Sequence, residues 1–328
     1  MRPGPSHRLS VFDFVFWNTN NFPVSRKRIV IAGGRGFIGT ALAGNFSARQ
    51  YAVVLLTRSP HERADGIGEA AWDGKNPGDW VHFLDGAEAI INLAGKSING
   101  PPTPENLRAL TASRVDSVQA IAAAITQIQA PPRVWVQAGA TGFYGDMKAV
   151  PCNESAPNGA DSLAQICRDW ESAFAAAPVP GTRKVTLRMG LVLGWNGGAL
   201  PVLGRLAKLF LGGTAGDGRQ FVSWIHLADL ARMYAMAVEN EQLSGPCNAV
   251  APGAVTNAEF MRELRRARHR PWSPPVPEWA VKLGARLIGF SPALVLGGQR
   301  CPPEKFLAAG FEYQFPQLRP ALEDLCRR

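Results

Sequence analysis

Three glycines stand three residues apart, Gly33, Gly36 and Gly39, inside "IVIAGGRGFIGTALAG" from Ile29 to Gly44. The apolar run before them reads as a buried strand and the run after them as a helix. The first glycine permits a tight turn, the second lets backbone close on a pyrophosphate, and the third lets helix pack on strand. The helix start then offers free N–H groups and a partial positive charge to phosphates. With its strand, its helix and a second strand in place, the spacing points to a bound dinucleotide. Gly33, Gly34, Arg35, Gly36, Phe37, Ile38 and Gly39 are the candidate residues on its phosphate side. The competing reading is a tight strand–helix turn with no ligand.

The end of the second strand selects among dinucleotides. An Asp or Glu there would hold a ribose 2′-hydroxyl, but the chain reads Leu56-Thr57-Arg58-Ser59. Arg58 can instead neutralise a 2′-phosphate through charge-assisted hydrogen bonds, and Arg35 in the glycine turn is a second candidate. Thr57, Arg58 and Ser59 therefore join the candidate site, and the expected cofactor is NADP(H). A solvated arginine at a helix cap is the alternative for Arg58. Asp73 suits the adenine amino group, or equally closes a turn before Gly74.

Further chemistry-bearing groups come later. Ser223, Trp224, His226 and Asp229 cluster in "FVSWIHLADL", where His226 could act as acid or base near neutral pH or, at a helix N-terminal position, merely satisfy a loop carbonyl. Arg188 could hold an anion or pair with a buried carboxylate. The glycines at 197–198 and 212–218 imply close backbone approach or a hinge. Five cysteines (Cys152, Cys167, Cys247, Cys301 and Cys326) show no CxxC spacing, and five histidines form no HExxH pair. Reduced thiols and no metal are expected.

Elements that must position these groups follow in regular order. Apolar runs "RIVIAG", "AVVLLTR", "EAAWD", "AIINLAG", "RVWVQAG" and "KVTLRMGLVLG" alternate with helical patterns at 36–50, 105–128 and 163–177. Runs this apolar, separated by helices, argue for a parallel sheet covered on both faces. "FVSWI" reads as one more strand before the helix "HLADLARMYAMAVEN". From Pro252 onward the chain is helical and rich in proline and arginine.

A length of 328 residues admits one large domain or two modest ones. The expected division is an N-terminal extension at 1–27, disordered; a nucleotide-binding domain at 28–250; and a C-terminal cap lobe at 251–328, with contributions from 194–222. The net charge of +9 sits largely in two places. One is the first 28 residues. The other is 262–270, with five arginines against Glu263. A basic tail and one basic helix face read as solvated surface, so no nucleic-acid partner is expected. No apolar run is long enough to span a bilayer. A cytoplasmic monomer or homodimer with a small-molecule substrate is expected.

Taken in order, "AGGRGFIG", "INLAG", "GATGFYGD" and "RMGLVLG" resemble the extended or atypical short-chain dehydrogenase/reductase superfamily. "QICRDWE", "GWNGGALP", "GGTAGDGRQFVSWIHLADL" and "GGQRCPPEKFLAAGFEYQFP" narrow the likeness to its NAD(P)-binding "epimerase family" proteins. These carry labels such as nucleoside-diphosphate-sugar epimerase and SulA-like cell-division inhibitor, and end in a C-terminal domain of unknown function. The resemblance covers about residues 28–326. It implies an α/β fold: a Rossmann-type doubly wound parallel sheet with a smaller, mainly helical C-terminal substrate lobe. It also implies that Asn92, Leu93, Ala94 and Gly95 lie beside the ribose and nicotinamide half of the cofactor.

The superfamily's chemistry uses Ser/Thr, Tyr-x-x-x-Lys and often an Asn, and here the chain departs from it. Alignment puts Ala140 at the serine, Leu163 and Cys167 at the tyrosine and lysine, and Arg114 at the asparagine. Thr141, Tyr144 and His226 remain as candidates to handle a proton. Two functions fit. One is an NADP(H)-dependent oxidoreductase or epimerase acting on a small polar carbonyl or sugar-like substrate. The other is a non-catalytic NADP(H)-dependent sensor or regulatory protein linked to cell division.

Overall fold

The computed structural model describes residues 26–327, so the expected extension at 1–27 falls almost wholly outside the described residues. Seven strands form one sheet: β1 (Arg28–Ala32), β2 (Ala52–Thr57), β3 (Gly68–Ala71), β4 (Ala89–Asn92), β5 (Val134–Ala140), β6 (Arg183–Met189) and β10 (Gly245–Ala249). Three short pieces and a partner complete the strands: β7 (Leu191–Leu193), β8 (Phe221–Val222), β9 (Trp224–His226) and β11 (Val255–Thr256). The sheet order is β10-β6-β5-β4-β1-β2-β3, and every neighbouring pair is parallel. The chain winds outward from β1 in both directions, so the strand order reverses between β1 and β4. Ligands of open α/β sheets bind outside the strand ends at such a point.

Both faces of the sheet are dry. Alternate residues of β1 show it: Ile29 and Ile31 join one apolar cluster, Val30 and Ala32 the other. The second cluster is closed by α2 (Pro104–Ile125) and α3 (Ser162–Ala176), through Val118, Ile121, Trp170 and Phe174. The first is closed by α1 (Phe37–Ala48) and α5 (Leu227–Glu239), through Leu42, Phe46, Met233 and Tyr234. Strands buried on both faces must be near-continuously apolar, as "RIVIA" and "AVVLLT" are.

The C-terminal region is helical: α6 (Asn257–Ala267), α7 (Glu278–Ile288), α8 (Ala293–Leu296), α9 (Glu304–Ala308) and α10 (Leu318–Cys326), preceded by α4 (Leu200–Lys208). Phe260, Leu264, Phe306, Leu318 and Leu322 belong to the same apolar cluster as Ile29 and Leu42. The lobe thus shares the core on the α1–α5 side of the sheet.

Two strand expectations change. "KVTLRMGLVLG" breaks at Gly190, where a Cβ would stand 2.5 Å from the Ser223 carbonyl oxygen. "FVSWI" breaks at Ser223 into β8 and β9, neither in the main sheet: β9 pairs with β7 and β8 with β11. The sheet's seventh strand is instead β10, "GPCNA", paired with β6 from Gly245↔Val185 to Ala249↔Met189. Glycine, proline and asparagine are poor strand formers, so only the tertiary pairing makes this segment a strand.

Candidate nucleotide and substrate site

β1 delivers the glycine turn to the reversal point of the sheet. Gly33 has φ +73°, a left-handed backbone that favours glycine, and a Cβ there would lie 3.0 Å from both Ala94 N and Leu93 C. Its N–H donates to the Leu56 carbonyl at 3.2 Å, which ties the turn to β2. A Cβ on Gly39 would lie 2.5 Å from the Gly34 oxygen, so helix and turn touch backbone to backbone. Gly36 caps α1 without a side-chain bond, and the helix ladder starts only at Thr40 N–H to Gly36 O, 2.9 Å. The N–H groups of Phe37, Ile38 and Gly39 have no backbone acceptor among the described residues. That is the anion cradle expected of an uncapped helix start.

The ring of Phe37 explains the first glycine loop. Cβ atoms on Gly194 and Gly197 would lie 2.7 Å from Phe37 carbons, so "GWNGG" can close on the ring only as glycine. The second loop closes on the C-terminal segment, with Gly216 N–H to Val276 O at 2.9 Å and Val276 N–H to Thr214 O at 2.8 Å.

At the end of β2 the cations are organised by a residue the sequence did not single out. Glu69, on β3, has a fully buried side chain. Its Oε1 lies 3.3 Å from Arg35 Nε and 3.4 Å from Arg63 Nη1, and its Oε2 accepts from the His61 N–H at 3.1 Å. Arg35 also donates to the Ser59 carbonyl at 2.7 Å and hydrogen-bonds the His61 ring. Arg58 is exposed and makes no hydrogen bond or ion pair among the described residues. The Thr57 hydroxyl accepts from Ser59 N–H at 3.5 Å. Asp73 closes its own turn: Oδ1 accepts from Lys75 and Asn76 N–H, and Oδ2 from the Asn76 amide at 2.7 Å. Those bonds, the Asn76 side chain first, pull its pKa below the ordinary value.

β4 delivers the other wall. Asn92 is fully buried; its amide donates to Ser117 Oγ and Gln137 Oε1, both at 3.1 Å, and its oxygen accepts from Ala94 N–H at 3.0 Å. It therefore shapes the backbone of Leu93 and Ala94, which meet Gly33, and of exposed Gly95 beyond them.

β5 ends in a 3-10 turn, Thr141–Tyr144. Thr141 is 6% exposed and its hydroxyl has no hydrogen bond among the described residues. Tyr144 is fully buried; its hydroxyl donates to Asn248 Oδ1 at 2.8 Å and accepts from Arg188 Nη1 at 2.9 Å. Burial, only partly opposed by Arg188, pushes its phenol well above the ordinary pKa. Arg188 completes a fork to Glu171 with bonds of 2.9 and 2.8 Å, and its Cζ lies 3.6 Å from the centroid of the Phe143 ring. The buried-pair alternative for Arg188 is thus the one found. Cys167, on α3, is buried, and burial pushes its thiol up to about 12, so it stays protonated near neutrality.

His226 sits elsewhere in character. Its Nδ1 accepts from Ala228 N–H at 3.1 Å as the cap of α5, its ring stacks on Phe315 at 4.0 Å, and Nε2 lies 3.5 Å from Asp324. The neighbouring motif residues grip the same C-terminal segment. Asp229 accepts from Gln314 and Phe315 N–H at 2.9 and 2.8 Å, and Ser223 Oγ bonds Gln299 O and Cys301 N. The structure therefore gathers the glycine turn, Arg35, Thr57–Ser59 and Leu93–Gly95 at the ends of β1, β2 and β4. It sets Tyr144 into a buried network and His226 under the C-terminal tail.

Among the described residues no group of three or more His, Cys, Asp or Glu could hold a metal ion. No described helix is long and apolar enough to cross a membrane.

Known proteins are similar to this chain in sequence and fold. Residues 29–249 match the NAD dependent epimerase/dehydratase family, and residues 276–325 match a domain of unknown function. The epimerase family protein SDR39U1 of Homo sapiens is 36% identical over 303 residues, covering 91% of this chain and 99% of that protein. The epimerase family protein YfhF of Bacillus subtilis is 34% identical over 301 residues, 90% of this chain and 97% of its own. The crystal structure of human SDR39U1, isoform 2, with NADPH superposes with a TM-score of 0.82 at 33% identity, over 92% of this chain and 99% of that one. The chain belongs to the NAD dependent epimerase/dehydratase family.

Proposed function

We propose that this chain binds NADP(H) at the ends of β1, β2 and β4 and acts as a reductase or epimerase on a small polar carbonyl or sugar-like substrate. The observation that carries the reading is the turn itself. Gly33 is held in left-handed backbone against Leu93–Ala94, the start of α1 is uncapped, and Arg35 and Arg58 stand where 57–59 offers no carboxylate. The human relative crystallised with NADPH supports the phosphorylated cofactor. Gly33, Gly34 and Gly36–Gly39 would hold the pyrophosphate. Arg35, Arg58, Thr57 and Ser59 would hold the 2′-phosphate. Asn92–Gly95 would line the nicotinamide half, and Asp73 the outer rim near the adenine. When bound, the cofactor supplies or takes up a hydride.

Thr141 is the hydroxyl we assign to the substrate oxygen, because its Oγ1 is not engaged by any described residue. Tyr144 and His226 then act by position, one bracing the end of β6 and the other capping α5. A single-turnover experiment tests this. NADPH-loaded protein is mixed with a panel of aldehydes, ketones and keto-sugars, and loss of the 340 nm absorbance is followed. At least one carbonyl class should oxidise the cofactor, at a rate reduced about tenfold or more in Thr141→Val and retained in Tyr144→Phe. A silent panel would favour the second reading, a non-catalytic NADP(H)-dependent sensor. That reading draws support from the locked Tyr144 and the protonated Cys167.

A further inference from the structure

Among the described residues Arg114 is a cation without a counter-ion. It stands on α2 with its side chain laid along the backbone of Gly95. A Cβ on that glycine would come within 3.3 Å of Arg114 Cγ and 3.4 Å of Cζ. Its Cζ lies 5.1 Å from the centroid of the Trp170 ring on α3, and Nη1 donates to the Leu110 carbonyl at 2.9 Å. Among the described residues Nε and Nη2 have no hydrogen-bond partner, and no carboxylate lies within ion-pair distance. The obvious acid on α3, Glu171, is taken by Arg188 through two bonds. Cys167 faces the guanidinium but stays a neutral thiol, so it supplies no charge.

A half-buried guanidinium is an unusual thing to leave unpaired. Withdrawing a charge from water costs free energy unless a partner restores the lost hydrogen bonds. The edge left over, Nε with Nη2, is the fork that takes two oxygens of a carboxylate or phosphate at once. Its surroundings are also those of a binding site. Gly95 beside it is exposed, and the Thr141–Tyr144 turn approaches from β5, where a Cβ on Gly142 would lie 3.8 Å from Cys167 Sγ. Along the β4 loop, Leu93 and Ala94 meet the glycine turn and Gly95 meets Arg114. The guanidinium therefore packs on the loop residue that follows the two meeting the glycine turn.

We infer that Arg114 is a substrate-binding residue and that the substrate carries an oxyanion, a carboxylate or a phosphate ester, close to the carbon that exchanges hydride. The word "substrate" rests on the hydride-transfer reading above; the anion site itself rests on Arg114. A cofactor phosphate is the other source of the same chemistry, and the two separate experimentally.

The test uses the full chain saturated with NADPH and titrated with oxalate, then with inorganic phosphate, by calorimetry. The expected result is measurable oxyanion binding that falls about tenfold or more in Arg114→Gln, as loss of a charge-assisted pair implies. NADPH affinity should change by less than about twofold, as expected for a residue outside the cofactor's own contacts. Arg114→Lys keeps the charge but loses the fork, should fall between the two, and carries the comparison if Arg114→Gln does not fold. Equal oxyanion affinity in the substituted proteins overturns the inference. So does a tenfold loss of NADPH affinity with no oxyanion effect, which would assign the arginine to the cofactor. Protein that takes NADPH but no oxyanion loses this inference and keeps the cofactor reading. Protein that takes oxalate in an Arg114-dependent way but no NADPH does the reverse.

Discussion

Glu69 sets what Arg35 can do. Its buried carboxylate fixes one edge of the guanidinium, and the Ser59 carbonyl takes another donor, so Arg35 is held in place before any ligand arrives. Arg58 has no such support and is positioned only by the backbone at the end of β2. Both arginines were legible from the sequence as candidates, because the position that would carry an acid reads Arg58. Glu69 was not, because an acid in "EAAWD" carries no motif, and its burial depends on the pairing of β3 with β2. The same limit applies to Tyr144. Its place in "GATGFYGD" advertises a phenol at the site, but only the fold shows its hydroxyl joined to Asn248 and Arg188. Tyr144→Phe should therefore behave as the loss of a buried hydrogen-bonded group. Urea denaturation should show a destabilisation of about 1–3 kcal/mol, with NADPH affinity unchanged. Cys167 gives a pH-dependent prediction. With its thiol pushed up to about 12, alkylation by iodoacetamide in the folded protein should be negligible at pH 8 and rise with pH as thiolate forms. Rapid labelling of Cys167 at pH 8 would show that the thiol is neither buried nor raised.

At the scale of elements, the segment "FVSWIHLADL" changes meaning. Its polar residues look like a cluster of reactive groups, and the structure turns them into a latch for the C-terminal region. Ser223 holds Gln299 and Cys301, the Trp224 indole donates to Gly253 O at 2.8 Å, His226 stacks on Phe315, and Asp229 accepts two backbone N–H bonds from Gln314 and Phe315. A fully buried carboxylate with two such bonds cannot be removed cheaply. Asp229→Ala should destabilise the chain by about 3 kcal/mol, on the basis of roughly 1.5–3 kcal/mol per hydrogen bond to a charged group. Limited proteolysis should then cut near 310–317 well before the sheet is degraded. An unchanged cleavage pattern would mean that the tail is held by its apolar contacts alone. The helices and main strands around this latch were legible because their periodicities are strong. β10 was not, since "GPCNA" becomes a strand only by lying beside β6.

Across the whole molecule, one sheet and its two apolar clusters carry both the glycine turn and the C-terminal helices. The fold class was legible because strands buried on both faces cannot hide their apolar runs, and the order of glycine turn, strand and helix is local. The substrate side was less so. Ala140, Leu163 and Cys167 stand at the positions where sequence comparison looks for chemistry. Arg114, the residue inferred to bind an oxyanion, comes from a different element and is brought beside Gly95 and toward α3 by the packing of α2 on α3. Titration of the chain with NADPH and NADH tests the binding of a phosphorylated dinucleotide at the β1–β4 reversal most directly. The expected result is NADPH binding at least about tenfold tighter than NADH, one to two charge-assisted contacts' worth, with the gap narrowing in Arg58→Ala and Arg35→Ala. Equal affinity for the two cofactors in the unaltered chain, or a preference untouched by both substitutions, would contradict it.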